Sequence, residues 1–168
     1  MAGPTVDNYF PDSSGCHVFW IKSPEPGVTV DTRTFVPGET PPPDGTDAKA
    51  HPMRVEYVGC HVDYPGPGYP PAGTGCENGS VISEKQGCGV RVALTGPTRV
   101  GDYTGTLKFE LSLLCAGAEI APCDRVTSPP PSAEHPITAH WPVTCSIKLH
   151  TDNGYYADSH VVCDLAGQ

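Results

Sequence analysis

Two stretches near the C-terminus alternate apolar and polar residues on either side of Asp152-Asn153-Gly154, a pattern typical of a β-hairpin. Apolar side chains take the odd positions of the first arm, at Trp141, Val143, Cys145, Ile147 and Leu149. The odd positions of the second arm are Tyr155, Ala157, Ser159, Val161, Cys163 and Leu165. Since directly opposed residues share a face of the sheet, odd positions must pair with odd ones. A three-residue loop over 152–154 satisfies this parity and sets Thr151 opposite Tyr155.

This register makes one prediction for each face of the hairpin. On the outer face it places Lys148 opposite Asp158, as an ion pair. On the inner face it sets Cys145 diagonally from Cys163, with Cα atoms ~7–8 Å apart. That separation exceeds the ~4.4–6.8 Å that a disulfide usually spans. Either a bulge within 155–162 brings the two sulfurs together, or each pairs with another cysteine. We favour the bulge.

Seven further segments are predicted as short strands from their alternation or apolar content, namely 17–22, 28–36, 54–63, 81–82, 89–94, 103–115 and 118–126. The first is apolar on both faces, which favours a central position. The second is expected to turn its even-numbered residues to one side, at Val28, Val30, Thr32, Thr34 and Val36. The third keeps its apolar residues on one face only if a bulge occurs at Val58-Gly59.

The strand pattern indicates an all-β fold. We expect an antiparallel β-sandwich of about eight short strands, immunoglobulin-like or jelly-roll-like, stapled by disulfides and carrying long Pro/Gly-rich loops. Residues 1–15 are predicted to form an N-terminal arm and residues 16–168 a single β-sandwich domain. The 19 glycines and 20 prolines lie mainly between the predicted strands, so they indicate stiff loops rather than a disordered chain.

Charge narrows the choice of partner. The net charge is −9, and the ten basic residues form no cluster. Binding to phosphate groups needs clustered Lys and Arg, so neither nucleic acid nor an anionic membrane is expected as the partner. No apolar run approaches the ~20 residues of a transmembrane helix, and no membrane insertion is expected.

Eight cysteines, an even number, predict four disulfides and an oxidising location, extracellular or at a virion surface. Closeness in sequence favours the pairs Cys76–Cys88 and Cys115–Cys123, and leaves four cysteines whose pairing stays open, Cys16, Cys60, Cys145 and Cys163. The chain starts without the charged and apolar segments of a signal peptide. Three explanations fit: Met1 was added to a mature secreted protein, the protein leaves its cell by lysis, or the cysteines are reduced and bind metal.

The sequence contains only weak signatures of catalytic or metal-binding sites. The cysteines lack the short Cys-x₂₋₄-Cys spacing of zinc sites, so no metal and no other cofactor is expected. His150 and His160 fall on the outer face of the hairpin, where solvated strand histidines are the simpler interpretation and a pH-sensitive site the alternative. No nucleophile elbow, zinc-protease helix or phosphate loop occurs. A non-enzymatic protein is therefore predicted.

The favoured function is a structural or binding module that contacts a protein partner, or copies of itself, through its loops and arm. It would be a virion- or cell-surface decoration protein or a secreted interaction protein. Tyr64 and Tyr69, in a Pro/Gly-rich loop, are the candidate binding residues, since tyrosine suits interfaces and rigid scaffolds present such loops. Another option is a hydrolase that uses surface carboxylates such as Glu110, Glu119 or Asp124.

The C-terminal pattern supports a second option, through a resemblance. Its strand, Asp-x-Gly turn, strand and Cys163 are similar, over some 25 residues, to the last hairpin of the lipid-binding ML (MD-2-related) sandwiches. Those domains lack a cysteine equivalent to Cys145. The resemblance implies an apolar cavity between the sheets, and hence a carrier of a small, lipid-like ligand.

Overall fold

The structure is a computed structural model, and it describes residues 6–10, 14–21, 27–40, 52–61, 69–95, 99–117, 123, 129–153 and 158–165. Within these ranges the regular elements are nine strands: β1 (Val6–Tyr9), β2 (Cys16–Ile21), β3 (Val28–Pro37), β4 (Met53–Glu56), β5 (Val81–Ile82), β6 (Cys88–Leu94), β7 (Gly101–Cys115), β8 (Ile137–Thr151) and β9 (Asp158–Leu165). They form two antiparallel sheets, with strand orders β1-β2-β6-β4 and β5-β3-β7-β8-β9. The predicted all-β, disulfide-stapled sandwich is confirmed.

One apolar core fills the space between the sheets. Phe19 of β2 and Phe109 of β7, both almost fully buried, meet edge-to-face with ring centroids 5.3 Å apart. The predicted inner face of the 103–115 strand is confirmed, because every apolar residue assigned to it is buried: Tyr103, Leu107, Phe109, Leu111, Leu113 and Cys115. Strand β2 is also buried on its other face, as its apolar composition predicts, and lies inside its sheet.

Part of the predicted N-terminal arm belongs to a sheet. Val6–Tyr9 form β1, which pairs with β2 from Val6 opposite Ile21 to Tyr9 opposite Val18. Val6 is buried in the core and packs as an ordinary strand residue. The polar composition of residues 1–15 hides this strand, since an edge strand needs only one apolar side chain to be anchored.

The predicted strand over 54–63 is wrong for residues 57–61, and with it the bulge predicted at Val58-Gly59, while residues 62 and 63 lie outside the described part of the chain. The chain leaves the sheet after Glu56, and Cys60 instead makes an isolated bridge to Ala72. The close backbone approach explains the change: a Cβ on Gly75 would lie 2.0 Å from the carbonyl oxygen of Tyr57, and one on Gly89 would lie 2.1 Å from that of Val58. Glycines at both positions let this segment lie directly on its neighbours.

The predicted facing of the 28–36 strand is correct only for its first half. Pairing between β3 and β7 shifts between Val30 and Thr32, an irregularity of the bulge type. Beyond it, Arg33 and Phe35 turn inward while Thr34 is exposed. Arg33 lies over the ring of Tyr57 at 4.1 Å, where cation–π attraction favours an inward guanidinium.

The hairpin pairs odd with odd positions, but its register differs by two residues from the predicted one. Lys148 lies opposite His160, and Cys145 lies directly opposite Cys163. The predicted stagger is therefore wrong, and Cys145 and Cys163 are joined, as the favoured alternative expects. No bulge interrupts the pairing of 158–162, and residues 155–157 lie outside the described part of the chain. The predicted Lys148–Asp158 pair is also wrong, because Lys148 approaches Asp102 of β7 at 3.4 Å instead.

Four disulfides join all eight cysteines. They are Cys16–Cys60, Cys76–Cys88, Cys115–Cys123 and Cys145–Cys163. The two short-range pairs are those that sequence closeness favours, and the other two follow from β2 meeting the 57–60 segment and from the hairpin register. A disulfide-rich all-β fold of this kind indicates an oxidising, extracellular-type environment.

Several predictions concern residues outside the described part of the chain. They are most of the 118–126 segment, the tip of the hairpin at Gly154 and Tyr155, and the candidate binding residue Tyr64. A search of the described residues found no helix long and apolar enough to cross a membrane.

Candidate functional site

An open groove lies where the edge strand of each sheet meets the other, between β1 and β2 on one side and β9 on the other. Its volume is about 580 Å³, within the range of small-ligand sites. Its lining residues are Asn8, Tyr9, Phe10, His17, Asp158, Ser159, His160 and Val161. The groove has a polar floor and an aromatic rim.

The floor consists of three polar side chains that continue the inward faces of their strands. Asn8 follows Val6 on β1, His17 precedes Phe19 on β2, and Ser159 precedes Val161 on β9. Because side chains of the same parity share a face, these polar groups point between the sheets at the end of the apolar core. There a bare polar group would lose its hydration, so each must find a partner.

The three side chains form a hydrogen-bonded chain. The Nε2 atom of His17 lies 2.9 Å from the Oγ atom of Ser159, and its Nδ1 atom lies 3.2 Å from the Oδ1 atom of Asn8. The amide nitrogen of Asn8 donates to the carbonyl oxygen of Val161 at 3.1 Å. Since a carbonyl can only accept, this bond turns the amide oxygen of Asn8 toward His17.

This chain of hydrogen bonds fixes the tautomer of the His17 imidazole. An amide oxygen accepts, so Nδ1 of His17 must carry the proton, and Nε2 is left to accept from the hydroxyl of Ser159. The pKa of His17 is lowered from 6.5 to about 4, first because burial penalises the charged ring and second because of the charge of His160. His17, only 3% exposed, is therefore a neutral hydrogen-bond acceptor at neutral pH.

The rim of the groove is aromatic. Tyr9 and Tyr69 pack with ring centroids 4.8 Å apart, and the hydroxyl of Tyr9 donates to the carbonyl oxygen of Pro70. Phe10 packs edge-on against the ring of His17 at 4.8 Å. Phe10 is 45% exposed and Tyr69 is 55% exposed, so both leave apolar surface in water. The structure thus places the sequence-predicted Tyr69 beside the groove.

A small second core holds the rim in place. Cys16, Val18, Cys60 and Ala72 are buried together on the outer face of β2, with Tyr9 packed against them. The Cys16–Cys60 disulfide closes this cluster, and the bridge between Cys60 and Ala72 ties the 69–72 segment to it. The aromatic rim therefore stands on a covalently restrained base.

A second polar cluster lies on the outer face of the five-stranded sheet. His150 has Nδ1 at 2.5 Å from Asp102 and Nε2 at 2.7 Å from Asp152, and Lys148 also reaches Asp102. The hydrogen bonds to Asp102 and Asp152 raise the pKa of His150, and the bond from His150 lowers the pKa of Asp102. His160 lies on the same outer face, opposite Lys148, as the sequence predicts, and it also borders the groove.

The other candidates predicted from the sequence do not form a site among the described residues. Among the described residues, no group of three or more His, Cys, Asp or Glu side chains could hold a metal ion. Glu110 is exposed on the outer face of β7, and Glu119 and Asp124 lie outside the described residues. The cavity between the sheets that Phe19 and Phe109 line has a volume of about 10 Å³, no more than one water molecule needs.

Sequence reasoning missed the floor of the groove. Asn8, His17 and Ser159 are far apart in the chain and belong to no motif. One signal was present, a histidine inside the otherwise apolar run 17–21, because a buried polar residue needs a partner. Nothing in the sequence identified that partner as a serine 142 residues away.

No family model, no curated protein and no solved structure matches this chain, so its function has to follow from the geometry of the groove itself.

Proposed function

We propose that the protein is an interaction module of an oxidising environment, secreted or displayed on a virion or cell surface, that binds a protein partner at this groove. The observation that supports the proposal most directly is the aromatic rim. Phe10 and Tyr69 are each about half exposed and stand beside an open groove rather than being scattered singly. Exposed aromatic side chains next to a concavity favour a binding site.

The rim combines the properties of an interface anchor. Tyrosine supplies a large contact area at a small loss of conformational entropy, because its side chain has two rotatable bonds. Here the Tyr9–Tyr69 contact and the bond from Tyr9 to Pro70 hold the rings before any partner arrives. Preorganisation of this kind lowers the entropy lost on binding.

The floor supplies polar partners for an extended segment. β9 is an edge strand of its sheet, and the carbonyl of Val161 points across to β1, where Asn8 satisfies it. Edge strands of this type pair with added strands when a peptide brings its own backbone groups. A protein segment with one apolar side chain for the rim and a backbone for the β9 edge fits this surface.

The carrier alternative gains no support from the described core. The cavity between Phe19 and Phe109 cannot take an acyl chain, whereas the groove is open to solvent and rimmed by aromatic rings. We therefore retain the binding module as the single proposed function.

A peptide selection tests the proposal. A phage-displayed library of random linear peptides is panned on the protein, and each enriched peptide is measured against the double variant Phe10→Ser/Tyr69→Ser. We expect affinity to fall at least about tenfold, since two anchor residues are lost. The matched control is Val81→Ser/Leu114→Ser, which removes side chains that are 55% and 62% exposed but lie away from the groove.

Two outcomes contradict the proposal. One is the absence of any enriched peptide on the wild-type protein. The other is a set of peptides that bind the Phe10/Tyr69 variant as tightly as the wild type. Sedimentation of the protein alone shows whether a second copy occupies the groove, because self-association should then disappear in the same variant and persist in the control.

A further inference from the structure

The floor of the groove contains a hydroxyl, an imidazole and an amide in the arrangement of a nucleophile, a base and an orienting group. We propose that Ser159 is a nucleophile that His17 activates and Asn8 orients, and that it accepts the acyl group of a carboxylic ester bearing an apolar or aromatic substituent. The proposal does not depend on the binding function, since Ser159, His17 and Asn8 all belong to this chain and are in contact without any partner.

The distances meet the requirements of such a relay. A nucleophile and its base must lie within about 2.6–3.2 Å of each other, with a third group that orients the base. Ser159 and His17 are 2.9 Å apart, and Asn8 holds the opposite ring nitrogen at 3.2 Å. An amide in the third position is an established variant of hydrolase triads. Here the hydrogen bond to Val161 fixes the orientation of the Asn8 amide, so only the His17 tautomer with its proton on Nδ1 fits.

The β9 edge offers one donor for a developing oxyanion. In an antiparallel strand, the N–H and C=O of one residue point to the same side, and every second residue repeats the direction. The carbonyl of Val161 faces β1, so the N–H group of Ser159 points to the same open edge, beside its own hydroxyl. A backbone N–H group of the nucleophile in that position can donate to the oxygen of a tetrahedral intermediate.

The groove sets the class of substrate. Phe10 and Tyr9 give one wall an apolar, aromatic surface close to the floor, and the volume of about 580 Å³ holds a small ester. Asp158 and His160 are the other ionisable groups of the lining besides His17 and Tyr9. Since Asp158 is acidic, an uncharged aryl or alkyl ester is favoured over an anionic one.

The reaction balances with water as the only co-reactant. The Oγ atom of Ser159 forms a bond to the acyl carbon while its proton passes to Nε2 of His17. The bond between that carbon and the leaving oxygen then breaks, and Nε2 returns the proton to the leaving alcohol. Water attacks the resulting acyl-serine by the same relay and releases the carboxylic acid and free Ser159.

The burial of His17 predicts a slow but broad reaction. With a pKa of about 4, the ring is neutral and able to accept a proton at every pH above about 5, but it is a weak base. We therefore expect acylation to be constant from about pH 6 upward and to fall toward pH 4. Slow deacylation makes the covalent adduct the best readout.

Covalent labelling tests the inference. The intact protein is incubated with an alkyl fluorophosphonate, and the modified residue is located by peptide mass mapping. We expect modification at Ser159 at least about 100-fold faster than at the exposed Ser146, the lower end of the factor that a positioned base supplies. A burst of 4-nitrophenolate from 4-nitrophenyl acetate should accompany acylation by an ester.

Three variants separate chemistry from folding. Ser159→Ala and His17→Gln should lose both the label and the burst, while Ser146→Ala should keep them. Intact mass without reductant shows whether each variant retains its four disulfides. The mapping on the wild-type protein needs no variant at all, so the inference remains testable if a substitution prevents folding.

The inference is overturned if the wild-type protein takes no label, or if label appears only at residues other than Ser159. It is equally overturned if a folded His17→Gln variant reacts at the wild-type rate. Loss of peptide binding in the Phe10/Tyr69 variant has no bearing on these results, so the binding proposal and this one can fail independently.

Discussion

Two histidines of this protein each have two hydrogen-bonding partners, yet their pKa values are shifted in opposite directions. His17, in the groove, has its ring nitrogens 3.2 and 2.9 Å from Asn8 and Ser159. His150, on the outer face, has them 2.5 and 2.7 Å from Asp102 and Asp152. Burial lowers the pKa of the first to about 4, and hydrogen bonds to carboxylates raise the pKa of the second.

The difference follows from what each partner can do. A serine hydroxyl can donate, so one nitrogen of His17 can accept, and a neutral ring makes both hydrogen bonds, to Ser159 and to Asn8. Carboxylates only accept, so both nitrogens of His150 can donate at once only when the ring is charged, and its pKa is raised. The number of hydrogen bonds therefore does not set the charge of a histidine; the donor capacity of its partners and its access to water do.

The two regions should respond to pH in opposite directions, and the larger response belongs to His17. Its pKa is 6.5 unfolded and about 4 folded, so its contribution is complete above pH 6.5 and is lost as pH falls from 6.5 through 4. Because a pKa shift of one unit corresponds to ~1.36 kcal/mol, the free energy of unfolding should fall by about 3 kcal/mol between pH 7 and pH 4. Urea unfolding at pH 7 and pH 4 measures it.

The control for this prediction is His17→Gln, which keeps polar groups on the floor but cannot be protonated. Its stability should depend less on pH over this range than that of the wild type. Equal slopes for the two proteins would show that other groups, and not His17, cause the loss of stability in acid.

Removing the Cys145–Cys163 disulfide should disturb the groove far more than the His150 cluster. The bond fastens β9, which carries Ser159, to β8, and closes a loop with a sequence separation of 18. The double substitution to alanine should lower the free energy of unfolding by about 3 kcal/mol. Chemical denaturation gives the loss, and fluorophosphonate labelling of Ser159 reports on the groove.

The matched comparison is alanine at both Cys115 and Cys123, a pair with a sequence separation of 8 that lies away from the groove. This variant should lose slightly less stability, about 2.5 kcal/mol, and keep the wild-type labelling rate. A similar loss of labelling in both variants would contradict the assignment of β9 to the site.

Truncating each histidine should separate a buried network from an exposed one. His17→Ala leaves the amide oxygen of Asn8 and the hydroxyl of Ser159 without their shared partner, which should lower the free energy of unfolding by about 2 kcal/mol. His150→Ala removes a solvent-exposed cluster and should change stability far less. Unfolding curves at pH 7 compare the two, and an equal loss in both would refute the distinction.

The smallest effect expected is a change in the titration of His150 alone. Asp102→Asn should lower the pKa of His150 more than Asp152→Asn does, since the hydrogen bond to Asp102 is the larger cause of the raised pKa. The contribution of His150 to stability is present below pH 6.5 and is lost as pH rises through the raised pKa. NMR titration of the ring protons measures the shift, and the signals of His17 should not move.

The sequence predicted the strands better than their pairing. Alternation located the long strand 103–115 and its buried face because a period of two is a local property. Parity required odd positions of the hairpin to pair with odd, and the structure obeys this. Parity cannot tell a register from one shifted by two residues, so it set Cys145 diagonally from Cys163 and left the pairing of the two cysteines open.

Other errors came from contacts between distant segments. Arg33 turns inward because a bulge in β3 and the ring of Tyr57 make a place for it. The chain after Glu56 leaves its sheet because Gly75 and Gly89 admit its backbone and Cys16 fixes Cys60. Each depends on a neighbour supplied by another part of the chain.

The all-β class, the positions of most strands and the even number of cysteines can be predicted from the amino-acid sequence, because periodicity and composition are local properties. The meeting of Asn8, His17 and Ser159 at one end of the core, beside an aromatic rim, arises only in the folded molecule. The reason is physical: a site built from one residue on each of three strands exists only when two sheets close on each other, and no local pattern encodes that closure.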